Sequence, residues 1–330
     1  MLLGLSSTSF AISEKNYITD YQNNVLPFTN SMEKGTLKSN GLNLSYRTFI
    51  QQDATSCLVI LPGRSEPAVK YGELVYDLVH SSDIGKKLNY FILDHRGQGQ
   101  SDRMVSPSDL GHVDYFNNYV SDLGSFLKNV VDKASCQKKF LFAHSMGAGI
   151  SLRYVELNPD YFNGLMISSP MVKIQTKPYA YLVARAIIEG MMLAGQGNKF
   201  SVGQAPFNSN DLFTENTFTS SPERFEMTMK LAEIFPDTKV GGASNRWIKE
   251  VMNGTYYLRQ DYYKITAPMK LYRAGDEQYS EPAEMHRMCQ LVADCDELLL
   301  PTSKHEVIND RDENRDQVIS SMIEFMTGLN

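Results

Sequence analysis

The sequence predicts an α/β fold: a mostly parallel, twisted sheet with helices on both faces and a helical cap insert. Three observations carry that prediction. Short apolar runs of strand length at 56–61, 90–93, 140–143 and 164–169 alternate with stretches of helical spacing, as they do when strands are buried on both faces. The third run breaks at Ala143-His144-Ser145-Met146-Gly147 into small residues and resumes at 150–157 as a helix. Between 171 and 262 the buried-strand runs stop, and they return at Met269. The organisation that follows is an N-terminal arm over 1–40, a first core part over 41–170, a helical cap or lid over 171–262, and a second core part over 263–330.

Taken in order, residues 12–40 are polar apart from Val25-Leu26-Pro27-Phe28 and read as an arm packed on the body. Residues 42–49 alternate as an outer strand does, and 56–61 read as a buried one. That strand ends in the turn Pro62-Gly63-Arg64-Ser65-Glu66, followed by a helix over 71–79. The strand at 90–93 ends in Asp94-His95-Arg96-Gly97-Gln98-Gly99-Gln100-Ser101. There the two glycines allow tight turns, and Asp94 with Arg96 can tie the loop down by charge-assisted hydrogen bonds. His95, and His112 further on, read as loop architecture rather than as catalytic groups. A helix over 115–130 leads to the Ser145 turn.

Within the insert, 179–194 is a sixteen-residue apolar stretch whose only charges are Arg185 and Glu189. It is too short to span a bilayer, so it is either a helix buried against the core or a lid presenting an apolar face to acyl chains. The strand pattern resumes at 269–273 with a turn over 274–279, then a helix over 285–292 and a strand over 297–300. The turn Ser303-Lys304-His305-Glu306 and a helix over 315–326 close the chain.

The composition limits what such a fold can do. With 32 Lys+Arg against 38 Asp+Glu, the net charge of −6 argues against nucleic acid and against attraction to anionic lipid by charge alone. No apolar run reaches the ~18 residues of a membrane span. No Cys-x-x-Cys or His-rich spacing suggests a metal. Residues 1–11 resemble the tail of a signal peptide without its basic leader. Of the four cysteines, Cys289 and Cys295 lie six apart, and Cys57 and Cys136 each precede strands expected to be neighbours. Both pairs could bridge, which would suit an oxidising compartment, or all four could be buried thiols. The two signals together favour the cell envelope, periplasmic or peripheral to the membrane, over the cytoplasm.

The chemistry centres on Ser145. A serine on a sharp strand-to-helix turn holds its hydroxyl clear of the backbone, and the crowding requires small residues two before and two after it. Here they are Ala143 and Gly147. The helix that follows aims its first N–H groups at the place where an oxyanion forms. Ser145, then an acid after a late strand, then His305 after the last strand is the chain order of the α/β-hydrolase fold. Ser145 needs a base, His305, and His305 needs a carboxylate on its other nitrogen. Each of the three turns lies at the carboxyl end of a parallel strand, where open sheets bind ligands. By position, the oxyanion donors are the backbone N–H groups of Arg64 and Met146. The Arg64 side chain is also placed to meet an anionic head group.

Over most of residues 40–330 the chain resembles the bacterial lysophospholipases of the monoacylglycerol-lipase-like (serine aminopeptidase S33-type) branch of α/β hydrolases. The likeness rests on Pro62-Gly63-Arg64, the 94–101 loop, Ala143-His144-Ser145-Met146-Gly147, Val240-Gly241-Gly242 with Trp247, and His305-Glu306. Monoglyceride lipases usually carry His-Gly at the oxyanion turn, so Pro62-Gly63 is closer to the lysophospholipase side. The resemblance implies cofactor-free hydrolysis of the acyl ester of a lysophospholipid or monoacylglycerol beneath the cap, and the lid reading of 179–194 adds peripheral membrane contact through it. It puts the triad carboxylate at Glu277, with Asp276 one residue before as the competing position. An acyltransferase using the same acyl-enzyme and a non-catalytic binding protein are the rival readings. Epoxide hydrolase or dehalogenase chemistry is disfavoured, because those enzymes place Asp where Ser145 stands.

Overall fold

The computed structural model describes residues 12–329, so the signal-peptide likeness at 1–11 lies outside the described residues. Among them, eight strands form one sheet: β1 (Glu33–Ser39), β2 (Leu42–Phe49), β3 (Ser56–Leu61), β4 (Leu88–Leu93), β5 (Lys138–His144), β6 (Gly164–Ser168), β7 (Met269–Asp276) and β8 (Cys295–Lys304). Their order is β1-β2-β4-β3-β5-β6-β7-β8. The β1–β2 and β2–β4 pairs are antiparallel and the others parallel. The helices are α1 (Tyr17–Asp20), α2 (Leu26–Ser31), α3 (Gly72–Ser81), α4 (Phe116–Asn129), α5 (Ser145–Leu157), α6 (Tyr181–Leu193), α7 (Pro222–Ile234), α8 (Asn245–Leu258), α9 (Pro282–Leu291) and α10 (Asp312–Gly328). The expected α/β architecture is the one observed.

Successive side chains of a strand point to opposite faces, and here both faces are apolar. Cys57, Val59 and Leu61 of β3 join Leu141 and Ala143 of β5 in a core with α4, α5, α8 and α9. Leu58 and Ile60, with Phe140 and Phe142, pack on the other face against α3 and α10. Each large side chain so buried contributes roughly 1.5–3 kcal/mol. This double burial is why β3, β4 and β6 read as unbroken apolar runs.

Two segments differ from their sequence reading in ways that have physical causes. The polar arm ends in β1, an edge strand of sequence EKGTLKS that is largely exposed. An edge strand faces water and is usually charged, so it leaves no apolar alternation to detect. The insert between β6 and β7 is not uniform either. Trp247, Val251 and Leu258 of α8 are buried in the same core as α4 and α5. By contrast, Ile188 is the only buried residue of α6, with Leu182 77 % and Leu193 91 % exposed. Of the two readings of 179–194, burial against the core is therefore not what the structure has.

On the other flank, Tyr17, Tyr21 and Val25 pack on Met227 and Leu231 of α7. Arg224 of α7 is buried and paired with Glu73 of α3 and with Asp312 at the start of α10 (2.7 Å to the latter). Cys57–Cys136 and Cys289–Cys295 are joined as disulfides, with Cα separations of 5.6 and 5.3 Å.

Candidate active site

The site lies where β5 gives way to α5. Ser145 has φ of 47°, a left-handed conformation that a non-glycine residue adopts only when its surroundings impose it. The packing explains the small neighbours. A Cβ on Gly147 would stand 2.4 Å from the carbonyl oxygen of Leu61 and 2.5 Å from that of Pro62, so only glycine lets α5 start against the end of β3. Ala143 is wholly buried.

Three residues expected to act together are brought together. His305 Nε2 lies 2.9 Å from Ser145 Oγ, and His305 Nδ1 lies 2.7 Å from Glu277 Oε2. The other Glu277 oxygen accepts the backbone N–H groups of Tyr279 (2.7 Å) and Ser280 (3.1 Å). Burial alone would push the Glu277 carboxyl up, but His305 and these hydrogen bonds outweigh it and hold the group below its ordinary value. Asp276 is exposed and its carboxylate accepts from Gln278 (3.1 Å), so of the two carboxylates Glu277 is the one at His305. The bulge between Ala274 and Asp276 breaks the β7–β8 register just before this turn. The rings of His144 and Tyr279 flank His305, with centroids 4.8 and 4.7 Å away. Burial pushes His144 down to about 4, so at neutral pH this neighbour is uncharged and does not repel an imidazolium.

The turn after β3 stands against the serine: a Cβ on Gly63 would lie 3.3 Å from Ser145 Cβ. Arg64, next in the chain, and Met146, in the first turn of α5, thus border Ser145 on either side. First-turn N–H groups have no intrahelical acceptor, which leaves that of Met146 free for a ligand. His95 donates from Nε2 to the Pro62 carbonyl (3.1 Å), and Gln98 Nε2 donates to the Gly63 carbonyl (2.7 Å), so both brace the turn from behind. His112 lies against Ser244 (2.9 Å).

Sequence reasoning missed a buried charge cluster that holds the same turn. Gly63 N–H donates to Glu66 Oε2 (2.6 Å), which also accepts the Tyr71 hydroxyl (2.6 Å). Lys70 Nζ bridges Glu66 Oε1 (2.7 Å) and Glu306 Oε2 (2.6 Å). Burial would raise the Glu66 carboxyl, but Lys70 and His144 prevail and bring it down to about 2. Burial would lower Lys70, but the two carboxylates hold it above its ordinary value. Glu306, more deeply desolvated than its partners compensate, is pushed up. The cluster ties the turn after β3 to the residue after His305. Its one local signal was an acid three residues beyond Gly63.

A serine at a strained strand-to-helix turn, with a histidine and a carboxylate from successive strand ends bonded in line to it, defines a serine hydrolase of α/β-hydrolase fold. The family model for serine aminopeptidase, S33, matches residues 52–312, and the chain belongs to that family. Lysophospholipase L2 of Escherichia coli (strain K12) is 27 % identical over 289 residues, covering 86 % of this chain and 83 % of the relative. A probable lysophospholipase L2 of Haemophilus influenzae is 29 % identical over 290 residues, with 86 % and 88 % covered. Among solved structures, a soluble variant of monoglyceride lipase from Saccharomyces cerevisiae superposes with a TM-score of 0.70 at 17 % identity, over 91 % of this chain and 96 % of its own. The Paleococcus ferrophilus monoacylglycerol lipase does so at 0.66 and 19 %, over 87 % and 99 %. These last two likenesses establish the fold.

Proposed function

We propose that the protein is a lysophospholipase: a serine carboxylic-ester hydrolase that releases the single acyl chain of a lysophospholipid through an acyl-enzyme. The observation that carries this is the Ser145–His305–Glu277 relay, 2.9 and 2.7 Å at its two junctions. Relatives called lysophospholipase L2 support the substrate class. In this reading Ser145 is the nucleophile. His305 Nε2 takes its hydroxyl proton as Oγ attacks the ester carbonyl, while Nδ1–H remains bonded to Glu277, which stabilises the imidazolium. The backbone N–H groups of Arg64 and Met146 receive the oxyanion, and losing one such donor costs on the order of 10²–10³ in rate. As the tetrahedral adduct collapses, His305 returns the proton to the departing glycerophospho-alcohol oxygen. Water, deprotonated by His305, then attacks the acyl-enzyme, and the fatty acid leaves with Ser145 restored.

Monoacylglycerol is the second substrate reading, favoured by the shared fold of the monoglyceride lipases. We further propose peripheral contact with a lipid surface through the exposed apolar residues of α6, and residence in the cell envelope. The two disulfides support the latter.

The deciding experiment is fatty-acid release from lysophosphatidylcholine and from monoacylglycerol by wild type and Ser145→Ala. Lysolipid hydrolysis that falls about ten-thousandfold or more in the variant supports the reading. Hydrolysis of monoacylglycerol alone moves the assignment to a neutral-lipid esterase, and release that survives Ser145→Ala refutes the mechanism.

A further inference from the structure

The buried cations of this core generally have carboxylate partners: Arg96 has Asp122, Arg224 has Glu73 and Asp312, Arg315 has Asp77, and Lys70 has Glu66 and Glu306. Arg64 departs from that pattern, as does Arg47, which donates to the Thr29 carbonyl (3.1 Å). Arg64 is half-buried at the oxyanion turn, and among the described residues no carboxylate lies within ion-pairing distance of it. Its guanidinium lies over the Trp247 ring, 5.2 Å from the centroid, and Nη2 donates to the Gly241 carbonyl. Nε is buried without a hydrogen-bond partner. The pocket is shaped for the group by glycine, since a Cβ on Gly111 would stand 2.8 Å from Nη2. Burial pushes the guanidinium down to about 10, only partly opposed by the Tyr119 and Tyr279 phenols, so it remains a cation at neutral pH. A desolvated cation without a counter-charge is costly unless something anionic fills its field.

We infer that the Arg64 side chain is the phosphate subsite of this enzyme, binding the phosphodiester of a lysophospholipid head group while the backbone of the same residue holds the oxyanion. The inference rests on the lysophospholipase reading and deepens it. A glycerol separates the acyl ester from the phosphate by only a few bonds. The arginine side chain separates its own backbone N–H from its guanidinium by a comparable span, so one residue can address both ends of the substrate. A planar guanidinium already held by an aromatic ring loses little freedom when it accepts a phosphate, and it is the side chain best matched to one.

The test compares kcat/KM for lysophosphatidylcholine with that for monoacylglycerol of the same acyl chain, in wild type, Arg64→Met and Arg64→Lys. The phospho-to-neutral ratio is expected to fall about tenfold or more in Arg64→Met, the scale of one lost hydrogen bond to a charged group. Arg64→Lys, which keeps the charge and loses the plane, should lie between, and it carries the test if the Met variant does not fold. Equal losses on both substrates would overturn the subsite, reducing Arg64 to a tie between the turn and residues 241–247. Wild type inactive on lysolipid overturns the parent reading, and this one with it, before any variant is made. A second arm measures competition against monoacylglycerol hydrolysis. Glycerophosphocholine inhibiting at lower concentration than inorganic phosphate supports a head-group site; equal inhibition assigns a general anion site and overturns it.

Discussion

Ser145 is held at φ 47°, a conformation costing about 1–3 kcal/mol for a residue of its kind. The residues that impose it were readable because they are local: Ala143, Gly147 and the turn lie within a few positions of one another. His305 was readable for a related reason, since it follows a strand end, whereas Glu277 came from the family resemblance with Asp276 left as the competing position. The Glu66–Lys70–Glu306 cluster was not, because its partners are 236 residues apart in the chain and only the folded sheet edge joins them. It yields a prediction about acid. The Glu66 carboxyl, at about 2 in the folded state against an ordinary 4.5, contributes stability that is complete above the unfolded value. That contribution is lost as pH falls through 4.5 toward 2. Glu306, pushed up by burial, acts in the opposite sense. Glu66→Gln should therefore lower the melting temperature at neutral pH and flatten its decline over that acid window. A variant whose melting curve tracks wild type at every pH would show that the cluster does not stabilise the turn.

Helix α6 is legible as a helix but not as an exposed one. A nearly all-apolar helix has no polar face to say which side meets water, so periodicity could not choose between burial and display. The structure leaves Leu182 and Leu193 largely in solvent, where aspartate substitutions are tolerated by folding. If α6 rests on lipid, Leu182→Asp with Leu193→Asp should abolish sedimentation of the protein with phosphatidylcholine vesicles. Hydrolysis of a short-chain ester below its micellar concentration should remain. Retained sedimentation would remove α6 from the membrane contact. The β-strands illustrate the converse: β3 could be bounded to the residue from sequence because both faces are buried, whereas β1, facing water, could not be seen at all.

For the whole molecule, the mostly parallel sheet and its two-sided core followed from alternating strand and helix signals, whereas the strand order was not read and the crosslinks were left open between two bridges and four buried thiols. Cys57 and Cys136 sit at the starts of the neighbouring strands β3 and β5. That bridge closes 79 residues and the Cys289–Cys295 bridge six. Loop-closure entropy assigns them about 4.5 and about 2 kcal/mol respectively. Urea unfolding of Cys57→Ser/Cys136→Ser should accordingly show a larger loss of stability than Cys289→Ser/Cys295→Ser. The reverse order would mean that the first bridge does little to restrict the unfolded chain.

The pairing of Arg224 with Glu73 and Asp312, backed by the N-terminal tyrosines, also determines how the insert is mounted. One border of the insert is riveted to the body by buried charge, and α8 is built into the foundation itself. The margin carrying α6 is itself fastened to α8, by the ion pair Lys249–Glu189 (2.7 Å) and by Arg185 donating to Asn253 (3.1 Å). The insert is thus fastened along both margins, like a plate bolted to the body, and carries the apolar residues of α6 outward.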